Sequence, residues 1–150
     1  MEMVRLVVLA IAGLSPLAAA EFTLTIGNPI AANVPRMKTA GLAVRLENCA
    51  DVSKATLSGT GEGTAGGARK SVPLQVTPAA TAGVYAVGLT GPLNGAWIAN
   101  LRATCGKAQA GAIVPFWGSV YVRDAIKLLP RFATEAEVQN ALNESTGGPK

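Results

Sequence analysis

From Ala96 to Cys105 the side chains Trp97, Ala99, Leu101, Ala103 and Cys105 recur at every second position, and Asn100, Arg102 and Thr104 fill the positions between. A period of two is the signature of a strand that buries one face and shows the other to water. The same pattern returns in Phe22-Thr23-Leu24-Thr25-Ile26, in Gly41 to Asn48 with Leu42, Val44 and Leu46 on one face, and in Gly83 to Leu89 with Tyr85, Val87 and Leu89 together. Lys54 to Gly59, Ser71 to Pro78, Ala110 to Trp117 and Ser119 to Arg123 read as further extended segments. Pro73 cannot donate a ladder hydrogen bond, so its strand is expected at an edge or at a bulge, where strand addition is either blocked or invited. Gly61 to Ala68 is too rich in glycine for a packed element and is expected to be an extended hairpin loop. Asp124 to Leu129 fits a helical turn or a last strand equally well.

The tail changes period. Thr134 followed by Glu137 is a capping box, and Val138, Ala141 and Leu142 follow at helical spacing, which predicts a helix over Glu135 to Asn143. Repeated short strands, glycine and proline turns and one distant cysteine pair predict an all-β, immunoglobulin-like two-sheet sandwich with a short C-terminal helix.

The first twenty residues stand apart. Arg5 precedes the apolar run Val7 to Leu14, and Ala18 and Ala20 occupy the two small positions of an Ala-x-Ala processing site before Glu21. Residues 1–20 therefore read as a secretory signal peptide, 21–133 as the β-sandwich domain, and 134–150 as the C-terminal helix and tail. The apolar run is shorter than the roughly 20 residues that span a bilayer, and later apolar runs are broken by glycine, proline or charge. The leader also raises the mean hydropathy to +0.34. The expected location is outside the cytoplasm, most simply a bacterial periplasm and otherwise secreted.

Export gives the two cysteines their meaning. Cys49 and Cys105 are too distant in sequence for a C-x-x-C redox pair, and with no histidine in the chain two thiolates fall short of a tetrahedral metal site. A disulfide staple is the expected outcome. Strict alternation puts Cys49 on the face opposite Leu42, so either a bulge precedes it or it lies in the loop beyond the strand end.

Gly83-Val84-Tyr85, the Gly91 to Gly95 turn and Ala96-Trp97-Ile98-Ala99-Asn100-Leu101 together resemble the Gly-x-Tyr then Gly-x-Trp pattern of small periplasmic domains of the YtkA/FixH-like type. The resemblance implies an exported immunoglobulin-like sandwich. Members concerned with copper use histidine and methionine ligands; this chain lacks histidine and keeps Met37 as the methionine after the leader. No metal site and no cofactor are expected.

Chemistry finds little purchase. GEGTAGGARKS, Gly61 to Ser71, lacks the glycine that a phosphate loop needs directly before its lysine, and Val72-Pro73-Leu74 reads as extended where such a loop needs a helix. Without histidine there is no Ser-His-Asp or Cys-His arrangement. Glu47, Asp51, Glu62 and Asp124 are the carboxylates from which a glycosidase-like pair would come, but no local pattern selects two of them, and all four read as solvent-facing. The net charge of +4 is scattered without a basic stripe, which argues against nucleic acid. Arg69 and Lys70 on the glycine-rich segment are candidate anion contacts. Phe116, Trp117 and Tyr121, beside Pro115 and Gly118, are the candidate partner contact, with Trp117 as its anchor if exposed. The expected function is a non-enzymatic exported accessory domain that binds another protein; the alternatives are a small-ligand or metal carrier and, further off, a hydrolase.

Overall fold

The computed structural model describes residues 20–28, 40–65, 67–89 and 95–145. The expected leader, apart from Ala20, and the last residues of the tail lie outside them. The described chain runs β1 (Thr23–Gly27), β2 (Ala40–Glu47), β3 (Ala55–Ala65), β4 (Ala68–Pro78), β5 (Val84–Leu89), β6 (Ala96–Cys105), β7 (Ala108–Trp117), β8 (Val120–Tyr121), β9 (Lys127–Leu129) and α1 (Glu135–Ser145). The strands form one antiparallel sheet in the order β1-β2-β5-β4-β3-β6-β7-β8, with β9 also paired to β7. The sheet curls, so that β1 at one end packs near β7 and β9 at the other.

Alternation sets which side chains enter the curl. Leu42, Val44 and Leu46 of β2, Val87 of β5, Trp97, Ala99, Leu101 and Ala103 of β6, and Ala112, Val114 and Phe116 of β7 form one buried cluster. Each fully buried aliphatic or aromatic side chain of this kind contributes about 1.5–3 kcal/mol. The continuous apolar run of β7 has a separate cause. Its outward residue Ile113, with Ile98 of β6, is covered by Val138, Ala141 and Leu142 of α1, so these two strands are buried on both faces.

One expectation about strands needs correction. The glycine-rich segment is not an open loop: β3 continues to Ala65, pairing on one side with β4 and on the other with β6. The inward positions of this stretch are Gly59, Gly61 and Gly63, opposite Leu101, Ala99 and Trp97. A Cβ on Gly59 would stand 2.5 Å from the Asn100 carbonyl oxygen and 3.0 Å from Leu74 Cδ1, so the missing side chains leave room for large neighbours. Ladder bonds on both flanks and that packing outweigh the low strand preference of glycine. The chain turns back at Gly67, which has φ 84°.

Pro73 stands at the point where β4 passes from one neighbour to the other. β4 lies between β3 and β5, and Pro73 is its last partner to β3, opposite Thr60; from Leu74 onward β4 pairs with β5. The proline sits where the strand changes neighbours, the point at which a missing N–H disturbs the ladders least.

The tail follows the capping logic. Glu137 N–H donates to Thr134 Oγ1 at 3.2 Å and Thr134 N–H donates to Glu137 Oε1 at 3.1 Å, the reciprocal pair that opens α1. The segment before it descends onto the outer face of β7 at Gly111, where a Cβ would collide with the backbone carbonyl of Arg131 and stand 3.3 Å from Phe132 Cα. Asp124 to Leu129 divides into a 3-10 turn at Arg123–Ala125 and the short β9. No helix among the described residues is long and apolar enough to cross a membrane.

Candidate functional site

The disulfide joins Cys49 to Cys105 with a Cα–Cα separation of 5.8 Å. The parity problem is solved just past the end of β2. Asn48 adopts φ 61°, a left-handed turn that asparagine tolerates better than most residues, and Cys49 follows it to pack against the interior cluster. Cys105 closes β6. A bond of this kind points to an oxidising, extracytoplasmic environment.

The candidate contact aromatics divide. Phe116 is buried and stacks on Trp97 with ring centroids 4.1 Å apart and planes 12° from parallel. Trp97 Nε1–H donates to the Gly118 carbonyl at 2.8 Å, which satisfies its polar handle inside the core. Tyr121 is half-buried and meets Phe116 edge-on at 6.2 Å. Trp117 is 48% exposed, and Val120, directly across the β7–β8 hairpin from it, is 67% exposed. The hairpin turns through Gly118, at φ 61°, whose N–H donates to the Gly95 carbonyl at 2.8 Å.

The basic pair divides in the same way. Arg69 reaches under the start of α1, where its Nη1 donates to Glu135 and, at 3.1 Å, to Gln139 Oε1, while Nε lies 3.5 Å from Glu62 Oε2. The hydrogen bond to Glu135, with the charges of Glu135 and Glu62, raises the guanidinium pKa further. Lys70 is exposed and has no ion-pair partner among the described residues.

Glu62 is not solvent-facing, which corrects the reading of the four carboxylates. It is 6% exposed; its Oε1 accepts from Thr60 Oγ1 and Ser71 Oγ, each at 2.9 Å, and its Oε2 has Arg69 as a charge partner but no hydrogen-bond donor among the described residues. Asn100 Oδ1, on the same outward face of the sheet, is also buried without a donor. Glu47 accepts from Thr25, Asp51 caps the turn at Val52–Lys54, and Asp124 lies exposed in the 3-10 turn. The arrangement therefore ties helix to sheet through Arg69 and sets no two of these carboxylates across a cleft. At the cap, the Arg131 hydrogen bond and the Thr134 amide hold Glu137 down to about 2, so this end of α1 keeps its ion pair until strongly acid pH.

The sequence did not mark the remaining feature. Leu24, Thr25 and Ile26 of β1 face Ile126 and Leu128 across an open groove of about 320 Å³ at the seam of the curl. β1 pairs with β2 alone and β9 with β7 alone among the described residues, so each turns an unpaired backbone edge toward the seam. Leu128 is 50% exposed there. Its segment read equally as helix or strand, and no local pattern announces which two strands will end a curled sheet.

No protein-family model matches the chain, and no curated protein or solved structure matches it either.

Proposed function

We propose that the chain is an exported, non-enzymatic accessory domain, most simply periplasmic, that binds another protein through the open seam. The observation that carries this reading is the pair of unpaired edges, β1 and β9, over an apolar floor that includes the half-exposed Leu128. An exposed strand edge is a template for pairing with a further strand, and apolar pockets beneath it select side chains at every second position. The partner is therefore an extended segment with apolar residues two apart, hydrogen-bonded to the free edge of β1. Some Cα atoms of β1 and β9 lie within 8 Å of each other. A strand inserted between two others needs about 10 Å, so docking moves the three-residue β9 aside.

The finer reading of the fold belongs to the same proposal. β4 pairs with β3 through Pro73 and with β5 from Leu74, and this change of partner supports a division of the sheet into the two leaves of an immunoglobulin-like sandwich. The likeness to YtkA/FixH-like periplasmic domains is a reading of the same kind, and Trp97 fits the core role that such a pattern gives its tryptophan.

Capture from an extracytoplasmic fraction, with the disulfide-bonded protein as bait, tests the function. Leu128→Glu places a charge in the groove at a position already in water. The expected result is a reproducible partner retained by the wild type and by Trp117→Ala but lost by Leu128→Glu. Equal retention by Leu128→Glu would remove the seam from the account.

A further inference from the structure

We propose that the β7–β8 tip seats in the surface of an anionic lipid bilayer, a second contact separate from the seam. Among the described residues the exposed large apolar side chains are Trp117, Val120 and Leu128, and the last belongs to the groove. Trp117 and Val120 stand side by side across the two-residue turn Gly118-Ser119, at the extremity of a hairpin. A lone pair of side chains on a convex turn offers far less than the roughly 1,200 Å² that a stable protein interface buries. A bilayer asks for less area and different chemistry: tryptophan concentrates at the headgroup level, where its ring is apolar and its N–H stays wet.

The charge around the tip suits the anionic case. Lys70 lies in the cross-strand row Lys70, Gly63, Trp97, Phe116, about 14 Å from Phe116 at the usual strand spacing, at the same end of the strands as the tip but on the face of Phe116 rather than that of Trp117. Arg123 follows Val120 by three residues, and both cations are exposed without an ion-pair partner among the described residues. Arg69 contributes less, because Glu62 and Glu135 already hold it. Asp124, beside Arg123, offsets part of the excess, so the attraction is moderate and the attachment reversible. Phe116 and Tyr121 lie behind the tip as its rigid support.

The test uses the disulfide-bonded protein with vesicles of phosphatidylglycerol and phosphatidylcholine, pure phosphatidylcholine vesicles, and free glycerol phosphate. Anionic vesicles are expected to sediment the protein and to shift tryptophan emission to the blue as Trp117 leaves water. Trp97, already buried, supplies an unchanged background that also reports folding. Trp117→Ala with Val120→Ser should abolish sedimentation. Arg123→Gln should weaken it about fivefold, the effect of roughly 1 kcal/mol per basic residue near an anionic surface, and Lys70→Gln, on the far face of the strands, should weaken it less. Free glycerol phosphate should neither shift the emission nor compete. Absence of a shift on anionic vesicles, equal binding to pure phosphatidylcholine, competition by glycerol phosphate, or wild-type sedimentation of the double variant would each overturn the proposal. The Leu128→Glu variant should sediment normally, which keeps this test independent of the seam.

Discussion

Replacing Cys49 and Cys105 together by alanine is expected to lower the unfolding free energy by about 4 kcal/mol, the loop-entropy value for a closed loop of this size. The two cysteines are 56 residues apart in sequence. Cys49 lies in the connection between β2 and β3, and Cys105 ends β6, the strand beside β3 in the sheet. The bond thus fastens the β2–β3 connection to the end of β6 at one end of the interior cluster, beside the ladder pair Ala55 and Cys105. A loss of this size is a large part of the roughly 5–15 kcal/mol that holds an ordinary domain together. Denaturant titration of the oxidised protein and the double variant measures it directly. A loss below about 1 kcal/mol would mean that native-state strain or residual structure in the unfolded chain cancels the benefit of the bond.

Phe116→Ala is expected to cost about 3–5 kcal/mol, as for other fully buried aromatic side chains, whereas Trp117→Ala should stay within about 0.5 kcal/mol. The contrast comes from one residue of strand parity. Phe116 points inward, stacks on Trp97 and meets Tyr121, and its ring closely approaches Gly41 of β2. Removing it leaves a cavity against three strands and takes away the support of the Trp97 indole. Trp117 points outward beside Val120. Thermal or denaturant unfolding of the two variants decides the matter, and equal destabilisation would show that the tip is packed rather than free.

Much of the sheet was legible because apolar side chains recur at every second position on the face turned to the interior. Leu42, Val44 and Leu46, then Val87, then Trp97, Ala99 and Leu101 entered the core as their spacing required, with Tyr85 and Leu89 half-buried against it. The capping box of α1 was equally direct, because both of its hydrogen bonds are local in sequence. The errors arose where a distant neighbour supplied what the local sequence lacked. Gly61 and Gly63 look like a loop until the ladders to β4 and β6 hold them from both sides. Glu62 looks like a surface charge until Ser71, Thr60 and Arg69 surround it.

The candidate site was less legible than the fold. Spacing gathered Phe116, Trp117 and Tyr121 into one contact, although alternation along β7 already implies that Phe116 and Trp117 face opposite ways. The seam could not be found in this manner at all. It depends on which strands finish without a second neighbour, a property of topology that neither Ile26 nor Leu128 carries in its own surroundings.

Amide hydrogen exchange across β1 and β9 tests the open seam most directly, and it needs no partner. In an edge strand of an antiparallel pair, alternate N–H groups point away from the neighbour. Alternate amides of Thr23–Gly27 and Lys127–Leu129 are therefore expected to exchange close to the unprotected rate, while the amides of β6, paired on both sides, exchange slowly. Uniform protection along β1 and β9, equal to that of β6, would mean that hydrogen bonds close the curl, and the account of a strand-accepting edge would fail.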